Sequence, residues 1–218
     1  MPYKIEAAPT GAKFDNTALF KISYGLFVLT ARDGKKDNGC IINTAVQLTS
    51  SPCRIAITVN KQNYTHDMIM RSDAFNLSVL SEEAPFKVFE HFGFQSGKNV
   101  GKFADCESEN RTDNGILYVP KFTNAVISCA VCGWVDCGTH TMFIADVTDT
   151  KILSSVPSMT YQYYFDNVKP KPAAKTENAP KKGYVCKICG YIYEGEELPP
   201  DFICPLCKHG AEDFEPLS

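Results

Sequence analysis

Ten cysteines are spread over the 218 residues, and four of them fall in a spacing that binds metal. Cys186-Lys-Ile-Cys189 and Cys204-Pro-Leu-Cys207 are Cys-x2-Cys pairs with 14 residues between them. A two-residue gap lets both sulfurs of a pair reach one ion from a single tight turn, and two pairs complete a tetrahedron of thiolates. Such a set holds zinc as a structural ion or iron as a one-electron carrier, and the spacing alone permits both. The 35 residues from 184 to 218 are too few to build an adequate apolar core, so a metal is the expected staple.

The residues around the pairs separate the two metals. Gly190 lets the chain turn with backbone N–H groups aimed at sulfur. Tyr191, Tyr193, Phe202 and Phe214 offer a small aromatic core, and Pro199-Pro-Asp-Phe-Ile-Cys-Pro205 shapes the second knuckle. On Tyr184-Val-Cys-Lys-Ile-Cys-Gly-Tyr-Ile-Tyr193 and Asp201-Phe-Ile-Cys-Pro-Leu-Cys207 the segment resembles rubredoxin. Its short insert is similar to the rubredoxin domain of rubrerythrins, and Phe202 stands where that family usually has Trp. The resemblance implies one iron held by Cys186, Cys189, Cys204 and Cys207, with a passive zinc ribbon as the alternative.

A second stretch has the chemistry of a polar-ring binder. Asn43-Thr-Ala-Val-Gln-Leu-Thr-Ser-Ser-Pro52 puts seven small or polar residues among ten beside an apolar run. Exposed amides and hydroxyls can bond a polar ring edge or a sugar-like chain, although an ordinary Ser/Thr turn has the same composition. Lys61, Asn63 and Thr65 place a cation and polar side chains at the expected start of a helix, which is an anion site; for Lys61 a solvated turn lysine is the alternative. No Gly-x-Gly-x-x-Gly is present, and Gly93-Phe-Gln-Ser-Gly97-Lys98 is one residue short of a Walker loop. Rossmann and P-loop readings are set aside.

Five stretches in this order resemble the flavin-reductase-like, FMN-binding split-barrel family: Ser23 to Thr30, Gly39 to Pro52, Val59 to Thr65, Phe92 to Lys98 and Gly138-Thr-His-Thr-Met-Phe143. The resemblance implies FMN, or exchangeable flavin, at a homodimer interface. Asn43, Thr44, Ala45 and Gln47 would line the isoalloxazine, and Thr49 and Ser50 would take the ribityl chain or phosphate. Lys61, Asn63 and Thr65 would bind phosphate, and Ser96, Gly97 and Lys98 would close over the cofactor. His140, in a Gly-x-His motif, is the candidate for the nicotinamide side of NAD(P)H, and Tyr161 edges the site. Hydride transfer needs alignment and electrostatics, so no general base is required. The two resemblances together imply a converter from two-electron to one-electron chemistry that serves a terminal reductase such as a flavodiiron protein. The rivals are a flavin reductase that releases reduced flavin and a non-enzymatic shuttle.

The elements that must position these residues are mostly strands. Residues 22–30, 53–59, 74–80 and 125–135 are short, rich in Val, Ile, Thr and aromatics, and bounded by Gly, Asn, Ser or Pro. Thr65 is expected to cap a short helix through Met70, and a second helix is expected from Ser81 to His91. The fold class is therefore mainly β: a split β-barrel with a few helices, plus a small metal-stapled domain. Cys129, Cys132 and Cys137 lie in a strand-like run where residues three apart face opposite ways, so they read as buried thiols rather than a second metal site. Cys40, Cys53 and Cys106 have no visible partners.

Composition bounds the rest. Apolar residues make up 44% and charged residues 22%, enough for a packed core. A net charge of −3 lacks the concentrated basic face of a nucleic-acid binder. No window reads as a membrane span and the start has no apolar leader, so a cytoplasmic protein is expected and three Asn-x-Ser/Thr matches read as chance. Charge alternates by segment: residues 168–183 carry five Lys against Glu177, and residues 184–218 carry seven acids against two Lys. Residues 168–183, with three prolines, read as an extended linker of roughly 50 Å maximum span between domains at 1–167 and 184–218.

Overall fold

A computed structural model describes residues 3–4, 18, 21–104, 108–170, 183–186, 191–204 and 210–217. The larger unit is one eight-stranded sheet. Its strands are β1 (Tyr3–Lys4), β2 (Phe27–Asp33), β3 (Lys36–Ile42), β4 (Ala45–Ser50), β5 (Cys53–Asn60), β6 (Ala74–Leu80), β7 (Thr123–Asp136) and β8 (His140–Ile152). Seven run in the order β3-β2-β6-β7-β8-β5-β4, and β1 adds a parallel pair to β7.

The order itself forces a barrel. Strands β3 and β4 stand at opposite ends of it, about 29 Å apart in a flat sheet at ~4.8 Å per strand. Only Asn43 and Thr44 separate them in sequence, and that stretch spans at most about 11 Å. The sheet must therefore roll until its two ends meet, which is the split barrel expected.

Alternation fills the interior. Leu29 and Ala31, Cys40 and Ile42, Ile55, Ile57 and Val59, Phe75 and Leu77, Cys129, and Phe143 and Ala145 all point inward. Helix α1 (Tyr64–Ser72) adds Met68 and Ile69 to the same cluster. The outer face of β2 is covered too, because Val28 packs with Phe89 and Phe92 of α2 (Phe86–Gly93), with Leu117, and with Met159 and Tyr164 near the end of the unit. That double coverage explains why β2 reads as a continuous apolar run.

Both helices differ from expectation at their starts. Asn63, not Thr65, caps α1: its side chain accepts from the Thr65 N–H, and Thr65 lies inside the helix. The helix ends at Asp73, which adopts the left-handed conformation and donates its N–H to the Ile69 carbonyl at 2.9 Å. Helix α2 begins at Phe86 rather than Ser81, because Pro85 pushes Ala84 out of the helical region. Strand β2 starts at Phe27, five residues later than its sequence pattern. Cys132 and Cys137 are exposed, and only Cys129 of that group is buried. Cys106 lies outside the described residues.

A helical turn at Tyr161–Tyr163 continues as a π-helical turn through Val168, and Lys169 sits over the Phe165 ring at 4.6 Å. Helical structure thus reaches the first residue of the expected linker, of which residues 171–182 lie outside the described residues. The smaller unit is a three-stranded antiparallel sheet with β9 (Tyr184–Cys186) between β10 (Ile192–Tyr193) and β11 (Phe214–Pro216). Among the described residues no helix is long and apolar enough to cross a membrane.

Candidate functional site

The barrel seam supplies the first group of site residues. Asn43, Thr44 and Ala45 are half-buried, whereas Gln47, Thr49 and Ser50 are exposed along β4. The stretch whose composition also suits a Ser/Thr turn is thus mostly a strand, and only its end turns. Thr44 is fastened to β5 twice, donating its hydroxyl to the Thr58 carbonyl at 2.7 Å and accepting the Thr58 N–H at 3.1 Å. Ala45 stands opposite Ile57, and a bulge between Gln47 and Thr49 changes the register beyond it. Gln47 donates to the Thr49 carbonyl, and the Thr49 hydroxyl donates to the Pro52 carbonyl.

The second group surrounds the start of α1. Thr65 is fully buried, and its hydroxyl accepts from the Asn38 amide at 2.9 Å. The other end of that amide, Asn38 Oδ1, is buried without a partner. It lies against Gly97, where a Cβ would come within 2.0 Å of it. Gly97 is therefore required by close approach, and Asn38 joins the Asn63–Thr65 turn to Ser96–Lys98. The Ser96 hydroxyl accepts the Lys98 N–H, and both residues are exposed. The orphaned oxygen can only accept, so beside the side-chain-free backbone of Gly97 it fits a hydroxyl donor such as a ribityl chain carries.

The third group is the turn that opens β8. His140 stands opposite Asn60 in the ladder and contacts the Thr139 hydroxyl through Nδ1 at 2.8 Å. Burial holds its imidazole below its ordinary value, so the ring is neutral at neutral pH. Lys61 bonds Asp136 Oδ1 at 2.6 Å, so its ammonium is already paired. His66, buried in α1, bridges Asp67 and the Thr141 hydroxyl at 3.0 and 2.9 Å and ties the helix to β8 beside His140. Tyr161 belongs to the other side of the sheet: it meets Tyr24 edge-on at 6.3 Å and Phe165 at 4.8 Å, within the α2 cluster.

Sequence reasoning missed Asn38, Asp136, His66 and Lys102. Only Asp136 carried a local signal, an Asp-x-Gly turn with its Asp two residues before Gly138. Lys102 is 5% exposed and donates to the Gly39 and Phe92 carbonyls, both at 2.8 Å, bracing β3 against the end of α2. Burial pushes its ammonium down to about 8. Nearby Cys40, which seemed to lack partners, is pushed up by burial, an effect opposed by Thr65, Lys102 and Asn63. An unfolded Lys102 keeps its proton toward 10.5, so between about pH 8 and that value the unfolded chain holds the extra proton and stability rises with pH. Cys40 acts oppositely above its ordinary value of 9.0, since there the unfolded thiol ionises first. The rise should therefore appear between about pH 8 and 9 in urea unfolding and vanish in Lys102→Met. An unchanged slope in the variant would rule out Lys102 as its source.

In the small unit, Cys186 and Cys204 are 1% and 0% exposed and share one core cluster with Phe214. The Cys186 N–H donates to the Tyr191 carbonyl at 2.8 Å. Phe202 meets Tyr193 at 4.7 Å and Phe214 at 5.3 Å, so it fills the aromatic position expected of it. Cys189 and Cys207 lie outside the described residues. One buried thiol from each knuckle in the same small core fits a tetrathiolate metal.

A rolled barrel with a polar seam, followed by a small unit with two buried cysteines, is the arrangement expected of a flavin-reductase-like protein with an appended rubredoxin-like domain. The Flavin reductase like domain family matches residues 19–171, and the Rubrerythrin, rubredoxin-like domain family matches residues 184–215. The chain belongs to the flavin reductase like family. It is 36% identical over 230 residues to the High molecular weight rubredoxin of Moorella thermoacetica, covering 93% of this chain and 100% of that one. It is 37% identical over 150 residues to the Ferric-chelate reductase (NAD(P)H) of Archaeoglobus fulgidus, covering 69% and 88%. In fold it is similar to the NADH:FAD oxidoreductase of Streptomyces globisporus C-1027, with a TM-score of 0.59 at 21% identity over 70% of this chain and 93% of that one.

Proposed function

We propose that this chain is an NAD(P)H-dependent oxidoreductase that passes electrons through a barrel-bound FMN to an iron held by Cys186, Cys189, Cys204 and Cys207, and on to a terminal reductase such as a flavodiiron protein. The observation that carries this reading is the covalent pairing of a flavin-reductase-like barrel with a rubredoxin-like domain on one chain. When bound, the flavin accepts hydride and returns electrons singly, and the iron carries them one at a time.

The chain's own residues bind and orient. Asn43, Thr44, Ala45 and Gln47 offer amides, hydroxyls and backbone groups to the ring edge, and Thr49 and Ser50 extend that strip along β4. Asn63, Thr65 and the Ser96–Lys98 turn cradle the phosphate end at the start of α1. His140 faces the nicotinamide as a neutral ring, which does not repel the cationic oxidised form. Tyr161 packs against Tyr24 within the α2 cluster and is assigned no part in the site. Val46 and Leu48 are 60% and 47% exposed on β4, which pairs with β5 on one side only. That bare apolar edge supports a homodimer. A cytoplasmic location suits a chain of ten cysteines in which Cys53, Cys132 and Cys137 are exposed free thiols.

The test is metal and flavin analysis of full-length protein made with ample iron, followed by anaerobic titration with NADH and with NADPH. Flavin and iron bands should both bleach, and completion should need more than one nicotinamide per chain, because the two centres together hold three electrons. Zinc in place of iron, or flavin that neither nucleotide reduces, would overturn the assignment.

A further inference from the structure

Lys61 makes two contacts that a phosphate ligand would not need. Its ammonium bonds Asp136 Oδ1 at 2.6 Å, and the same oxygen accepts the Gly138 N–H at 2.9 Å. Its backbone N–H donates to the Thr139 carbonyl at 3.0 Å. Both contacts converge on the turn between β7 and β8, which Cys137 closes by donating its N–H to the His140 carbonyl at 2.9 Å.

Regular pairing stops at the edge of this turn. Pairing between β7 and β8 ends at Asp136 opposite Thr141, and pairing between β5 and β8 ends at Asn60 opposite His140. Lys61 is the first residue beyond that last row. Gly138 has φ +84°, a left-handed conformation that provides no side chain to pack, so the turn's shape depends on the bonds made to it. Side-chain exposures of 37% and 25% for Lys61 and Asp136 place the pair partly out of water, where screening is weaker.

We propose that Lys61 and Asp136 form a clamp that fixes the Cys137–His140 turn and so positions His140 toward the nicotinamide. Lys61 is thereby a positioning residue rather than a phosphate ligand. The inference rests on reading His140 as the nicotinamide-side residue.

Four variants of the full-length, flavin-loaded protein test it: Lys61→Met, Lys61→Arg, Asp136→Asn and the Lys61→Met/Asp136→Asn double. Lys61→Met and Asp136→Asn should each slow NADH-driven flavin reduction at saturating NADH by about tenfold. The double should be no worse than either, because both remove one device. Lys61→Arg keeps the cation and should stay within about twofold of the parent. Flavin Kd should move less than about threefold, while amide exchange across residues 137–140 accelerates about tenfold in the slowed variants.

If Lys61→Met weakens flavin binding about tenfold and Asp136→Asn leaves it unchanged or tighter, Lys61 binds phosphate and the clamp is overturned. His140→Ala separates the clamp from the reading beneath it. Slow reduction in that variant alongside normal reduction in Lys61→Met overturns the clamp and leaves the nicotinamide assignment standing. Normal reduction in His140→Ala overturns both.

Discussion

Replacing Cys204 with serine should abolish iron uptake, and with it all NADH-driven reduction of an acceptor served by the small domain, while flavin stays on the barrel. Cys204 is fully buried and Cys186 nearly so, and among the described residues the other buried member of their cluster is Phe214. Tyr184, Tyr191, Tyr193, Leu198 and Phe202 pack around it only in part. A unit of 35 residues cannot hold a three-stranded sheet by apolar burial alone, and metal binding is then folding free energy, of order 10–16 kcal/mol for structural zinc in finger peptides. A serine oxygen is a poor substitute for a thiolate in a soft-metal site. Absorption spectra, iron analysis and near-ultraviolet circular dichroism should report loss of the iron bands and of aromatic order in the small domain. Iron bound at the parent's stoichiometry would refute Cys204 as a ligand.

Stripping the flavin should be as severe for iron reduction. A nicotinamide surrenders two electrons together as hydride, whereas a tetrathiolate iron accepts one. Direct transfer would leave a nicotinamide radical, so iron in flavin-free protein should stay oxidised under NADH on the timescale on which loaded protein is fully bleached. In anaerobic stopped-flow mixing of the loaded protein, flavin absorbance should fall no later than the iron band, and added FMN should restore iron reduction to stripped protein. Iron that bleaches at an undiminished rate without flavin would favour a shuttle fed by a separate reductase.

What the sequence made legible was local. The Cys-x2-Cys spacing announces its chemistry because one turn brings both sulfurs together. The strands around Val28, Ile57 and Phe75 announce themselves because burial and alternation act over a few residues. Most of the missed groups are joined across long separations. Lys61 meets Asp136, Asn38 meets Thr65, and Lys102 reaches Gly39 only through strand register and the roll of the sheet. The cap of α1 was misplaced by two residues because Asn63 and Thr65 are both good capping types, and backbone angles chose between them. Cys132 was expected inside, but alternation that faces Cys129 inward leaves the residue three positions later on the outer side.

The seam at Asn43 and Thr44 joins folding to cofactor occupancy. Asn38 of β3 reaches Thr65, just beyond β5, only when the two ends of the sheet have met, so a binding strip that runs from Asn43 to the Thr65 turn is complete only in a closed barrel. Whatever grips the strip therefore binds the closed form alone and draws the closing equilibrium toward itself. A flavin present at a hundred times its Kd would add about 2.7 kcal/mol to the stability of the whole barrel by mass action. A cell short of flavin would then hold a barrel that opens more often and meets proteases sooner, and the abundance of this protein would follow the flavin supply.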